Sequence, residues 1–128
     1  LGKGKPNRIV FHPSGKTAGN VAAIDTVSRK ILGTVWTGGD AMGLALTPDE
    51  KTLYASAGEA KSIVKVDTAT IKAAGTIPLP GIVHETTLTP DGSYLYVTLR
   101  KANKLVVVRT ADEKVVARFH SPATPTSW

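Results

Sequence analysis

The sequence has no cysteine and a single methionine in its 128 residues. Disulfides, thiol nucleophiles and cysteine-based zinc or iron–sulfur sites are therefore excluded, although the absence fits many compartments and fixes none. Long apolar runs are missing too. None approaches the roughly 20 residues that span a bilayer, so no transmembrane helix is expected. The opening LGKGKPNR has neither an initiator methionine nor an apolar signal-peptide core. The expectation is that a targeting segment has been removed or that the chain is an internal piece of a longer one. Helical patterning is absent, because no stretch keeps a 3.6-residue apolar period and the eight prolines recur too often. There is also no phosphate-binding glycine loop, Gly-x-Ser-x-Gly elbow, HExxH site or EF-hand. Gly38-Gly39-Asp40-Ala41-Met42-Gly43 is glycine-rich. It opens a strand rather than a helix, so no helix N-terminus is offered to a phosphate.

What remains is ordinary for a soluble globular chain, with 41% hydrophobic and 20% charged residues. The length suits one domain with a real core. A net charge of +6 admits an anionic partner, whether nucleic acid, membrane surface or acidic protein. The basic residues are nevertheless spread along the chain, as in a basic protein with no polyanion partner.

The dominant positive signal is an internal repeat. LALTPDEKTLYAS, starting at Leu44, recurs as TTLTPDGSYLYVT from Thr86, and Pro48 and Pro90 lie 42 residues apart. Ile24-Asp25-Thr26, Val66-Asp67-Thr68 and Val108-Arg109-Thr110 keep the same step of 42, as do Lys30, Lys72 and Lys114. Each unit reads as four short strands. In the middle unit these fall at 42–47, 52–57, 62–67 and about 71–77. Pro48 ends the first, since proline donates nothing to a ladder. Pro-Asp-Gly chemistry and the Asp67-Thr68-Ala69-Thr70 segment supply the turns. Four antiparallel strands repeating every 40 to 50 residues is the pattern of β-propeller blades.

LTPDGSYLYVT followed by VVVRTADEKVVA resembles the YVTN-type β-propeller repeat, over essentially the whole chain from Arg8 to about Pro122. Tyr96-Val97-Thr98 carries the name motif, with Leu99 where Asn is usual. The resemblance implies an all-β propeller fold and a mostly extracytoplasmic family, hence a periplasmic or extracellular location. It implies no single activity and no required cofactor. Blades are placed at 5–38, 39–80 and 81–122, with 123–128 starting another. Closed propellers have about 4 to 8 blades. The expectation is therefore part of a six- to eight-bladed ring, seven for choice, completed by remaining blades or by further copies of the chain. The first unit departs from the pattern. Pro13 to Asp25 is 12 residues against 19 from Pro48 to Asp67, so seven are missing, about one second strand. This blade is either irregular, with the flanking strands shifted together, or interrupted by a gap in the chain.

The loops that lead into innermost strands gather at the mouth of a propeller channel, where ligand groups usually sit. By register these are Lys5-Pro6-Asn7-Arg8, Asp40-Ala41-Met42-Gly43 and Ile82-Val83-His84-Glu85. They differ in charge while the repeat core is kept, which suits a binding surface on a repeat scaffold. The candidate ligand-binding residues are Asn7, Arg8, Asp40, Met42, His84 and Glu85. His84 and Asp40 are also the candidate metal or haem ligands or bases. His12 is expected to pack against or cap its turn, and His120 to face solvent. Arg100, Lys101 and Lys104 begin a basic segment running to Arg118 that could follow a phosphate backbone. Few aromatics stand near it. The first functional reading is a non-catalytic scaffold that binds a protein, polysaccharide or anionic ligand. The second is the propeller of a periplasmic redox enzyme, either haem-d1 nitrite reductase-like or a quinone-dependent dehydrogenase subunit. The third is a lactonase-type metal-dependent hydrolase.

Overall fold

A computed structural model describes residues 9–14, 20–39, 41, 43–100 and 104–120. The strands form three antiparallel meanders. β1 (Ile9–Ser14), β2 (Asn20–Asp25) and β3 (Ile31–Trp36) make the first sheet. β4 (Leu44–Leu46), β5 (Thr52–Ala57), β6 (Ser62–Asp67) and β7 (Lys72–Pro78) make the second. β8 (Ile82–Leu88), β9 (Tyr94–Arg100), β10 (Lys104–Arg109) and β11 (Lys114–His120) make the third. The second and third strands of the middle blade fall on the expected residues. Its first strand starts two residues later than expected and its fourth is displaced by one.

Period-two alternation gives the second and third strands of the middle blade two apolar faces, and the blades stack through them. On the middle blade, Leu53, Ala55, Ala57, Val64 and Val66 face the first blade, in a core that includes Val21 and Val35. Tyr54, Ile63 and Ile77 face the other way, against Val83, Leu95, Val97, Leu99, Val106 and Val108 of the third blade. Residues 42 apart occupy the same place in successive interfaces, so Leu53 matches Leu95 and Val64 matches Val106. A fully buried Val or Leu contributes about 1.5–3 kcal/mol, so these interfaces are the main source of stability.

The blades approach most closely at their innermost strands. A Cβ added to Gly43 would lie 2.8 Å from the backbone nitrogen of Thr86 and 2.3 Å from Glu85 Oε1. Glycine is required there for want of room. Thr86 is itself buried at this contact, and its hydroxyl has no hydrogen-bond partner among the described residues.

The end of the stack where innermost strands finish, here the lower end, is closed by hydrogen-bonded turns. Asp49 Oδ1 accepts from Thr47 Oγ1 at 2.6 Å and from Lys51 N at 3.0 Å. Asp91 repeats this with Thr89 Oγ1 at 2.9 Å and Ser93 N at 3.0 Å. Thr68 Oγ1 donates to Glu50 O at 2.6 Å and Thr110 Oγ1 to Gly92 O at 2.7 Å, tying the two hairpins of each blade together. In the hairpin between third and fourth strands, Asp25 and Asp67 each accept a backbone N–H at 2.8 Å from two residues on. Arg109 stands at that place in the third blade and forms a bidentate pair with Asp112, at 3.1 and 2.7 Å. One left-handed residue completes each of these hairpins: Arg29 (φ 61°), Ile71 (φ 55°) and Glu113 (φ 61°).

The first sheet is the irregular blade. β2 and β3 correspond by the 42-residue step to β6 and β7, and β1 pairs directly with β2, Ile9 opposite Asp25. β1 holds the place of a second strand, since Ile9 opposite Asp25 matches Thr52 opposite Asp67 to within one residue of the 42-residue step, and among the described residues no innermost strand pairs with it. In the complete blades the first and third strands run parallel, because one strand lies between them. β1 is antiparallel to β2, the direction that β5 takes beside β6 and β9 beside β10.

Three outcomes follow. Gly43→Ala is expected to cost about 1–3 kcal/mol through overpacking. Thr86→Val, which keeps the shape and removes the orphan hydroxyl, should gain about 1 kcal/mol. Urea midpoints at unchanged m values check both. Hydrogen bonds hold Asp49 (first from Thr47) and Asp91 (first from Ser93 N) below the ordinary carboxylate value of 3.8. Their stabilisation is complete above that unfolded value and disappears as pH falls through the lower folded one. The double variant Asp49→Asn/Asp91→Asn should therefore flatten the loss of thermal midpoint below about pH 4, read by circular dichroism.

Candidate functional site

The upper end of the stack, where innermost strands begin, is built differently. It gathers the segment before β4, the 3-10 turn Gly58–Ala60, the short connection from β7 to β8, and the start of β10. One hydroxyl per blade anchors the innermost strand. Ser56 Oγ accepts from Gly43 N at 2.7 Å, and Ser56 N donates back to Gly43 O at 2.8 Å. One repeat later Thr98 Oγ1 accepts from Glu85 N at 3.1 Å. Sequence reasoning missed these positioning residues. Their signal was present, since Ser56 and Thr98 are 42 apart at the end of second strands.

His84 and Glu85 lie inside β8 rather than in a loop before it. Val83 pairs with Leu99 and Glu85 with Thr98, which leaves His84 as the extra residue of a β-bulge. Bulges re-aim side chains at functional edges. His84 is exposed, and no hydrogen bond fixes it among the described residues. The Glu85 carboxylate turns back along its own strand, where Oε1 accepts from Thr86 N at 3.1 Å. The two neighbours in sequence thus do different things: one presents an imidazole, the other caps backbone. Asn7, Arg8, Asp40 and Met42 lie outside the described residues. Among the described residues no three His, Asp or Glu side chains gather to hold a metal ion.

Other polar groups at this end were not singled out from sequence. Glu59 and Lys61 are exposed on the turn between β5 and β6, with Lys61 in the left-handed region at φ 55°. Thr37 is buried and donates to Gly39 O at 2.8 Å, fixing the segment that leads to Gly43.

The basic segment does not form one strip. Arg100 and Lys104 sit at the upper end, where Lys104 pairs across the ladder with Leu99 and His120. Arg109 and Lys114 sit at the lower end of the same hairpin, and Asp112 neutralises Arg109. Lys101 lies outside the described residues, and His120 is exposed at the end of β11. No helix is long and apolar enough to cross a membrane among the described residues.

Solved structures share this arrangement. A hydrazine synthase from Kuenenia stuttgartiensis is similar over 91% of this chain and 34% of its own, at 24% identity and TM-score 0.83. The WD40 repeats of RRP9 match over 91% of this chain and 36% of theirs, at 15% identity and TM-score 0.78. The dihydro-heme d1 dehydrogenase NirN matches over 87% and 25%, at 19% identity and TM-score 0.76. The chain thus spans about a third or less of the solved structures it resembles. These identities carry the fold alone. No curated protein is similar in sequence. Residues 8–127 match a propeller family throughout, and the chain belongs to the YNCE-like β-propellers.

Proposed function

We propose that the chain contributes three blades to a non-catalytic, YVTN-type propeller, seven-bladed when complete, whose upper end binds an anionic ligand or partner outside the cytoplasm. The observation that carries this reading is the contrast between the two ends. At the lower end Thr47, Asp49, Thr68, Thr89, Asp91 and Thr110 are committed to hydrogen bonds that repeat from blade to blade. At the upper end the exposed side chains Glu59, Lys61, His84 and Lys104 differ from blade to blade and close no turn. A scaffold that fixes one end and varies the other is how repeat proteins carry a binding surface. The net charge of +6 favours an anionic partner. Location outside the cytoplasm rests on the YVTN resemblance.

A second reading stands beside it, because one solved relative in fold is named as a dihydro-heme d1 dehydrogenase. In that reading His84, exposed at its bulge, would be a candidate haem ligand.

Two measurements test the pair. The Lys61→Glu/Lys104→Glu double variant should lower retention on a sulfated polysaccharide at least tenfold. Lys51→Glu/Lys114→Glu, the same charge change at the lower end, should lower it less than threefold. Equal losses would mean general attraction to a basic protein and would sink the upper-end site. A visible haem band in protein purified from its native source, lost in His84→Ala, would establish the redox reading instead.

A further inference from the structure

The outer rim of the first blade carries large apolar side chains that the middle blade lacks. Val27, Ile31, Leu32 and Trp36 are 70%, 65%, 46% and 61% exposed. They lie on β3, the outermost strand, or on the hairpin that leads into it. A step of 42 puts Ala69, Ala73, Ala74 and Pro78 at these places in the middle blade. The ladders agree, since Ile24 pairs with Ile31 and Asn20 with Trp36, as Val66 does with Ala73 and Ser62 with Pro78. The middle blade packs against a neighbour on each side, yet all four of its small residues are exposed. A covered blade thus leaves this rim open, so the apolar rim of the first blade stays at the surface when further blades complete the ring.

The strand is unguarded as well as apolar. β3 ends its sheet, so the backbone groups on its outer side have no strand to pair with among the described residues. Charged side chains and proline blunt such edges. β7 has Lys72 and Pro78, and β11 has Lys114, Arg118 and His120. β3 has neither a charge nor a proline from Ile31 to Trp36. All three outermost strands share one bulge near their start, so the difference lies in the side chains. A bilayer surface suits such an edge poorly, because it would take these backbone groups from water without pairing them. An added strand pairs them, and its alternate side chains then supply specificity. Ile31, Thr34 and Trp36 offer that alternate set, opposite Ile24, Ala22 and Asn20 on one face. On the other face Gly33 is crowded by the middle blade, where an added Cβ would lie 3.2 Å from Ile71 Cγ2.

Charge chooses the occupant. Arg29 and Lys30 are exposed directly before β3, and no carboxylate pairs with either among the described residues. Asp25, in the same hairpin, is buried and accepts from Val27 N and Ser28 N at 2.8 and 3.2 Å. The third blade neutralises its own hairpin cation instead, Arg109 with Asp112. A second copy paired antiparallel about Gly33 and Thr34 would set Thr37 and Gly38 beside Arg29 and Lys30, and neither is an acid. We infer that the outer edge of β3 docks an extended peptide of another protein, added antiparallel as a further strand of the first sheet. Its residues are apolar at alternate positions, and carboxylates at its C-terminal end meet Lys30 and Arg29. The surface uses none of the upper-end side chains Lys61, His84 and Lys104.

The probe is the peptide acetyl-VTVTVTDE-amide, with hydrogen exchange of the protein to locate it. It should slow exchange of β3 amides about tenfold and leave β7 and β11 within about twofold. Replacing its two acids by lysines should weaken binding about tenfold, and Arg29→Glu/Lys30→Glu should reverse the preference. Glutamate suits the left-handed place of Arg29, as Glu113 at φ 61° shows. N-methylation of one alternate set of peptide nitrogens should abolish binding, and of the other set should change it less than about threefold. That comparison reads backbone pairing without altering the protein. No binding at millimolar peptide, indifference to the charge exchange, tolerance of both methylated sets, or equal protection of all three outermost strands would overturn the inference. A dimer in sedimentation that Ile31→Lys/Trp36→Lys dissociates would give the edge to a second copy and overturn it too. So would binding to phosphatidylserine vesicles that Trp36→Ala abolishes, which would give the rim to a membrane surface.

Discussion

A sheet with two apolar faces is unstable by itself, and everything else in this protein follows from that. Along β5 and β6 the alternation gives Leu53, Ala55, Val64 and Val66 to one neighbour and Tyr54 and Ile63 to the other. In a one-sided sheet the second set would be polar and face water. Here the polar residues are pushed to the strand ends, the turns and the outermost strands. The same demand explains Gly43. Innermost strands of neighbouring blades converge, and the Glu85–Thr86 backbone leaves no space for a side chain opposite them.

Because the faces are consumed by packing, chemistry is left to the two ends, and these are not equivalent. The lower-end turns are short, and each needs its Asp and Thr to satisfy backbone groups that no ladder reaches. The φ of 61° at Glu50 and 79° at Gly92 shows that the turn demands the left-handed region whether or not glycine supplies it. Substitution there is paid in folding. At the upper end, Ser56 and Thr98 satisfy the innermost backbone from the neighbouring strand. The residues beside that contact are thereby released from structural duty, and His84 is one of them.

Much of the fold was legible because its signals are local. The repeat of 42, the turn prolines and the period of two identify β5, β6 and the hairpins without reference to any contact. The seven-residue deficit marked the first unit as either irregular or interrupted by a gap, without fixing which strand its sheet would lack. The misreadings have non-local causes. β4 starts late because Gly43 is held by Ser56 and by the next blade, neither visible in the run 42–47. His84 looked like a loop residue because a bulge leaves no mark in an apolar pattern, only in the pairing of Val83 and Glu85 with consecutive residues of β9. Aligning Pro13 with the turn prolines made β1 look like a first strand, whereas its pairing with β2 gives it the place of a second. Arg100 to Arg118 looked like one basic strip because adjacency in sequence hides that a hairpin sends its members to opposite ends.

The blades are therefore alike in what folds them and different in what joins them. Asp49 and Asp91 make the same turn, and Ser56 and Thr98 the same anchor. Yet Gly33 meets Ile71 at one interface, while Lys65, paired with Gly75, meets the Glu113 carboxylate at the next. A partly exposed ion pair of this kind contributes little net stability, on the order of 1 kcal/mol. Its larger effect is to penalise the wrong neighbour, because Lys65 against Ile71 or Glu113 against Ala23 would each strand a charge at an apolar contact. With backbones so similar, blades could otherwise exchange places or stack out of order, the characteristic failure of repeat proteins. Drift in the interface row thus leaves each blade better matched to its own neighbour than to another's.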